Sequence, residues 1–173
     1  MLGGCAAMGI LHAAGIRRRV KEMRAFARVI SFLSGELRYR RDILTEAFAR
    51  VAKKCMPPFE EWLTGISDDL KKIQDVCEMP DSISVTDFDQ IWERKADELY
   101  IRSGLKKEDM EYIYNLGQMI GYLDVQAQEE GFALLAEEVG RHIRKLEDAS
   151  KEQIKIACVA GAVAGVLLVI ILV

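Results

Sequence analysis

Residues 128–173 read QEEGFALLAEEVGRHIRKLEDASKEQIKIACVAGAVAGVLLVIILV, and two patterns meet in them. Gln128, Phe132, Leu135, Val139, His142 and Leu146 recur at 4-3-4-3-4 spacing, which lines one face of an α-helix. From Ile156 onward the polar face disappears, and no charged residue remains up to Val173. A helix buried in a globular core needs a polar side somewhere, and this stretch has none. At 1.5 Å per residue, eighteen helical residues reach about 27 Å, close to the roughly 30 Å hydrocarbon core of a bilayer. Residues 154–173 are therefore expected to form a C-terminal transmembrane helix. No proline interrupts the approach to it, so the seam and the apolar end are expected to form one rod.

The other end of the chain repeats the contrast. Residues 1–16, MLGGCAAMGILHAAGI, contain no Asp, Glu, Lys or Arg. As a helix they reach about 24 Å, short for a span. A secretory signal peptide carries its positive charges before the apolar run, whereas here Arg17, Arg18, Arg19 and Lys21 follow it. An uncleaved N-terminal membrane segment fits this order; a signal peptide and an interfacial helix are the rival readings. Basic residues flank the inner side of both ends, with Arg141, Arg144, Lys145, Lys151 and Lys155 before the second. The positive-inside rule then places residues 17–153 in the cytoplasm and both termini outside. Arg17, Arg18, Arg19 and Lys21 are expected to lie at the membrane surface, against anionic headgroups.

The central segment reads as helices throughout. Met23, Phe26, Ile30, Leu33 and Leu37 draw one apolar stripe. Asp42 is placed to cap a helix over 43–54, and the prolines of MPPF (56–59) end it. A helix over 59–77 is expected to be irregular near Gly65 and Ser67. Residues 78–85, EMPDSISV, read as a loop, and Thr86 as the N-cap of a helix that Gly104 stops. A fifth helix follows over 105–121, with Asp124 capping the last. Alternating strand patterns are absent from the sequence. The fold expected is an all-α, antiparallel helical bundle with N- and C-terminal membrane helices.

Chemistry has little to build on. The net charge of −3 argues against a nucleic-acid binder. His12 lies in the first apolar run and His142 on the last helix's seam, where packing is its expected role. There is no nucleophile elbow, phosphate loop or calcium loop. The four cysteines form no CxxC or Cys/His cluster, so neither zinc nor, in a reducing compartment, a disulfide is expected. No cofactor, metal, small-molecule substrate or enzymatic activity is expected. Small residues are more informative. Ala157, Gly161 and Gly165 recur every fourth position on one face of the second apolar end, which suits close helix packing in lipid. In the body, Gly117 and Gly121 are one turn apart, and each costs up to about 1 kcal/mol relative to alanine inside a helix. Close approach by another helix or a partner-docking corner would offset that cost.

At these positions the chain resembles a known family. Leu116, Gly117, Ile120, Gly121, Asp124 and Gln128 match a Leu-Gly-x-x-apolar-Gly-x-x-Asp-x-x-x-Gln signature, and GIRRRVKEMRAF and ISFLSGELRYRRDILTEAFARVA match earlier segments. Together with the two apolar ends, the pattern is similar to the stage III sporulation protein AB family of endospore-forming bacteria. That resemblance implies a component of a multi-protein complex in the mother-cell membrane around the forespore, forming a secretion-like channel. It implies a cytoplasmic bundle similar to the inner-membrane platform proteins of type II secretion and pilus systems. It also implies partners in a cytoplasmic ATPase and other membrane components. The six signature residues are the candidate protein-interaction surface. A membrane-anchored regulatory adaptor without a channel role is the alternative function.

Overall fold

The structure is a computed structural model. It describes residues 2–39, 44–76, 85–122 and 125–172, with side chains over 14–37, 44–75, 86–121 and 127–152. Among the described residues six helices follow one another: α1 (Leu2–Tyr39), α2 (Leu44–Ala52), α3 (Phe59–Val76), α4 (Val85–Arg102), α5 (Lys107–Tyr122) and α6 (Val125–Leu172). Among the described residues there is no strand.

The apolar stripes read from the sequence are the faces that pack. Met23, Phe26, Ile30 and Leu33 of α1 are buried, as are Phe132, Leu135 and Val139 of α6. Each burial of such a side chain contributes about 1.5–3 kcal/mol. Leu37, Gln128, His142 and Leu146, at the ends of the two stripes, are half-buried. From α1 a relay of rings runs through α3 to α4 and α2: Phe26 on Phe59, Phe59 on Trp62, Trp62 on Trp92, and Trp92 on Phe88 and Phe48, with centroids 5.0–6.1 Å apart. Offset and edge-on rings at such separations add to plain area burial.

Neighbouring helices are antiparallel, as their contacts show. Between α4 and α5, Phe88 lies against Gly121, Trp92 against Gly117 and Asp97 against Tyr114. Between α3 and α4, Asp69 meets Arg94 and Glu61 meets Arg102. Between α5 and α6, Ile120 meets Gln128 and Asp109 meets His142. Asp109 also holds Arg19, so α1 enters the bundle at the end where α6 leaves it. The α5–α6 connection lies at the opposite end, about 20 Å away along α5 at 1.5 Å per residue.

Several local expectations are revised. α3 is continuous through Gly65 and Ser67, because Ser67 Oγ donates to the Thr45 carbonyl of α2 (2.9 Å) and steadies the helix instead of breaking it. α4 begins at Val85, so Thr86 lies inside its first turn. Gly104 follows the end of α4 but does not have positive φ. Its lack of a side chain serves proximity instead: a Cβ there would lie 3.3 Å from Arg18 and Glu22. Asp42, Asp124 and residues 77–84, which hold all but the last residue of the expected 78–85 loop, lie outside the described residues. The backbone of α1 and α6 is helical through both apolar ends, to Leu2 and Leu172. Among the described residues no helix is long and apolar enough to cross a membrane. The side chains of residues 1–13 and 153–173, including Ala157, Gly161 and Gly165, lie outside the described set.

Candidate interaction surface

The described signature residues, all but Asp124, divide into a buried scaffold and a half-exposed rim. Leu116 and Ile120 point into the core. Gly117 lies beneath the Trp92 indole, where a Cβ would fall 2.4 Å from both Cδ1 and Nε1. The indole N–H donates to the Ile113 carbonyl at 2.9 Å. In an α-helix that carbonyl is also the acceptor for the N–H of residue 117. Glycine four residues on therefore leaves the carbonyl open to a second donor from the side. This is close approach by a neighbouring helix, and it accounts for Gly117 without a partner.

Gly121 is different. A Cβ there would lie 3.4 Å from Phe88 and 3.5 Å from Asp89, ordinary contact distances. Gln128 reaches back with Nε2 to the Ile120 carbonyl at 3.3 Å. The last four carbonyls of a helix lack intrahelical partners, and Ile120 is among those of α5. Gln128 thus ties the end of α5 to the start of α6. Gly121 and Gln128 are half-buried, and Leu134, one turn and a half further along α6, is 62% exposed. The corner is a shaped surface with buried Leu116, Gly117 and Ile120 beneath it.

The opposite end carries the polar network that sequence reading missed. Arg19 does not face outward with Arg17, Arg18 and Lys21; it is 6% exposed. Its Nε donates to Asp109 Oδ2 at 2.6 Å, and its terminal nitrogen to Oδ1 at 2.8 Å and to Glu108 at 3.1 Å. Helical geometry turns Arg19 about 100° from Arg18 and so toward α5. The expectation of a membrane-surface residue is therefore corrected for Arg19. Asp109 is fully buried and also accepts from the Lys106 backbone N–H (2.8 Å) and from His142 Nε2 (2.7 Å). Burial pushes the Asp109 carboxyl up, but the donors from Arg19, Lys106 and His142 outweigh it and hold the group below the ordinary carboxylate value. The hydrogen bond that Arg19 donates to Asp109 raises the Arg19 pKa despite burial. One carboxylate thereby joins α1, α5 and α6, while serving as the reciprocal half of a cap at the start of α5. The acidic pair at Glu108 and Asp109, opening a helix, was the available signal; its partner, 90 residues away, was not.

Beside it, Arg18 donates to the Arg102 carbonyl at 3.0 Å, and the Gly104 N–H donates to Glu22 at 2.7 Å. The α4–α5 turn is thus fastened to α1. On another face, a groove of about 500 Å³ opens between α3 and α4. There Lys72, Arg94 and Lys95 converge on Asp69. Among the described residues no three His, Cys, Asp or Glu side chains are grouped to hold a metal ion.

A family model described as stage III sporulation protein AB matches residues 1–173. The chain belongs to that family. A solved structure described as stage III sporulation protein AB (SpoIIIAB) is similar in fold, with a TM-score of 0.64 at 21% identity over 78% of this chain and 97% of that one. A comparison with curated proteins gives no match. As a stage III sporulation protein, the molecule is a component of a sporulation complex, with protein partners within that complex.

Proposed function

We propose that the protein is a non-enzymatic platform of a secretion-like channel complex in the mother-cell membrane around the forespore. In this reading the apolar ends, residues 1–16 and 154–173, anchor the bundle, and residues 17–153 face the cytoplasm. The carrying observation is that α1 enters and α6 leaves at one end, where Arg19 and His142 share Asp109. Antiparallel helices that turn apolar beyond a common point suit two membrane stalks. They hold the α5–α6 corner at the far end, about 20 Å along α5, within reach of a cytosolic partner.

A cytoplasmic ATPase of the same complex is the partner assigned to that corner. Gly121 and Gln128 form its rim, Leu116, Gly117 and Ile120 set its shape, and Asp124, outside the described residues, is assigned to the same surface by its place in the signature. Ala157, Gly161 and Gly165 are assigned to helix packing within the bilayer, against the first segment or a neighbouring membrane component. Arg17, Arg18 and Lys21 lie where headgroups would be. The reading is tested by fusing a topology reporter after Val173 in sporulating cells. Activity on the outer side of the membrane supports it; activity in the cytoplasm, or a chain recovered in the soluble fraction, overturns it.

A further inference from the structure

We infer that the α4–α5 turn is a third membrane contact, an interfacial foot that sits in an anionic headgroup layer between the two stalks. Four large hydrophobic residues are exposed among the described residues, and Tyr100 (38%) and Ile101 (82%) are two of them. They end α4 immediately before the turn that α1 holds. The Arg18 guanidinium binds the Arg102 carbonyl at 3.0 Å, and Glu22 binds the Gly104 N–H at 2.7 Å. The apolar start of the chain finishes at Ile16, two residues before Arg18. At 1.5 Å of rise per residue, the turn is fastened within about 3 Å, along the α1 axis, of the point where the chain becomes apolar.

Charge complementarity selects the partner. Residues 100–107, YIRSGLKK, and 14–21, AGIRRRVK, contain no acidic residue. Arg17, Arg18, Lys21, Arg102, Lys106 and Lys107 are exposed in these two stretches, Arg18 paired with Glu22 and Arg102 with Glu61, so basic residues outnumber acidic ones around the turn that Tyr100 and Ile101 precede. Basic residues around an exposed aliphatic and an aromatic side chain fit a negatively charged lipid surface: the cations meet headgroups and the apolar groups enter the acyl boundary. A tyrosine at that level presents an apolar ring below and a hydroxyl above. Leu105 is buried and anchors the turn from inside. The inference rests on the membrane reading proposed above.

The test uses the full chain carrying Ile101→Trp in vesicles of phosphatidylglycerol and phosphatidylethanolamine. Trp62 and Trp92, 4% and 2% exposed, stay shielded in the bundle as internal controls. Brominated acyl chains are expected to quench the introduced indole, more strongly with phosphatidylglycerol than with zwitterionic lipid alone. The emission of the unsubstituted chain should hardly change. Vesicle-bound protein whose introduced indole is unquenched, or quenched equally without anionic lipid, overturns the foot and leaves the stalks standing. Protein that does not float with the vesicles overturns the stalks, and the foot with them.

Discussion

Arg19 and Asp109, 90 residues apart, form a two-pronged bond at 2.6 and 2.8 Å in which both side chains are buried. Removing one member of such a pair leaves the other charge without its partner. Arg19→Ala is expected to lose about 3–5 kcal/mol of stability, against about 0–1 kcal/mol for Arg17→Ala on the exposed side of the same run. Urea unfolding of the two variants decides the matter; equal losses would remove the network from the account.

The same carboxylate sets an acid response. Its pKa in the folded protein lies below the unfolded value of about 3.9, so its contribution is complete above that value. It is lost as the pH falls through the depressed folded value, when the unfolded chain binds the proton more readily. Urea midpoints measured from neutral pH downward should therefore decline at the acid end. Asp109→Asn, less stable at neutral pH, should show a shallower decline than the parent. An unchanged slope in the variant would assign the acid sensitivity to other groups.

Gly117 and Gly121 look alike in sequence and should respond oppositely. Gly117→Ala drives a methyl into the Trp92 ring and is expected to cost about 1–3 kcal/mol. Gly121→Ala meets ordinary contact with Phe88 and is expected to gain up to about 1 kcal/mol from helix propensity. Thermal melts of the two single variants give the comparison, and a neutral Gly117→Ala would mean that the indole moves freely.

At the docking corner, Gly121→Leu and Asp124→Lys are expected to abolish or sharply reduce spore formation while membrane insertion persists. Gly121→Ala, which adds little volume, should sporulate normally. Spore counts read beside the amount of membrane-bound protein separate docking from folding. Normal yield from both larger changes would move the ATPase elsewhere.

Burial and then the hydrogen bond to Asp97 (2.8 Å) push the Tyr114 phenol up to about 12. Ultraviolet titration should show a tyrosine ionising late, a step absent from Tyr114→Phe. Asp97→Asn should bring that step part of the way back toward the ordinary value of about 10. A titration unchanged by either substitution would place the hydroxyl in free solvent.

Much of the architecture could be read in the chain because helical burial leaves a period. Met23 to Leu33 and Phe132 to Val139 announced the two faces that pack, and the signature around Gly117 announced both the family and a tight helix contact. Gly65 and Ser67 misled because their helix is steadied by bonds to other helices, which local propensity does not register. Arg19 misled for a related reason. Three successive arginines are chemically identical until helix geometry turns one of them toward a buried carboxylate. Gln128 was legible as part of a pattern, but its role in closing the end of α5 needed the third dimension.

Packing between α1 and α6 has a further consequence during synthesis. α1 packs more extensively on α6 than on any other helix, and Arg24 bonds Glu147 across 123 residues of sequence. The stripe of α1 therefore leaves the ribosome long before its main cover exists. Until then it needs temporary shelter, from the lipid surface or a chaperone, and a ribosome that stalls before α6 releases a nascent chain with that greasy flank bare. Folding of this body is thus tied to the synthesis of α6.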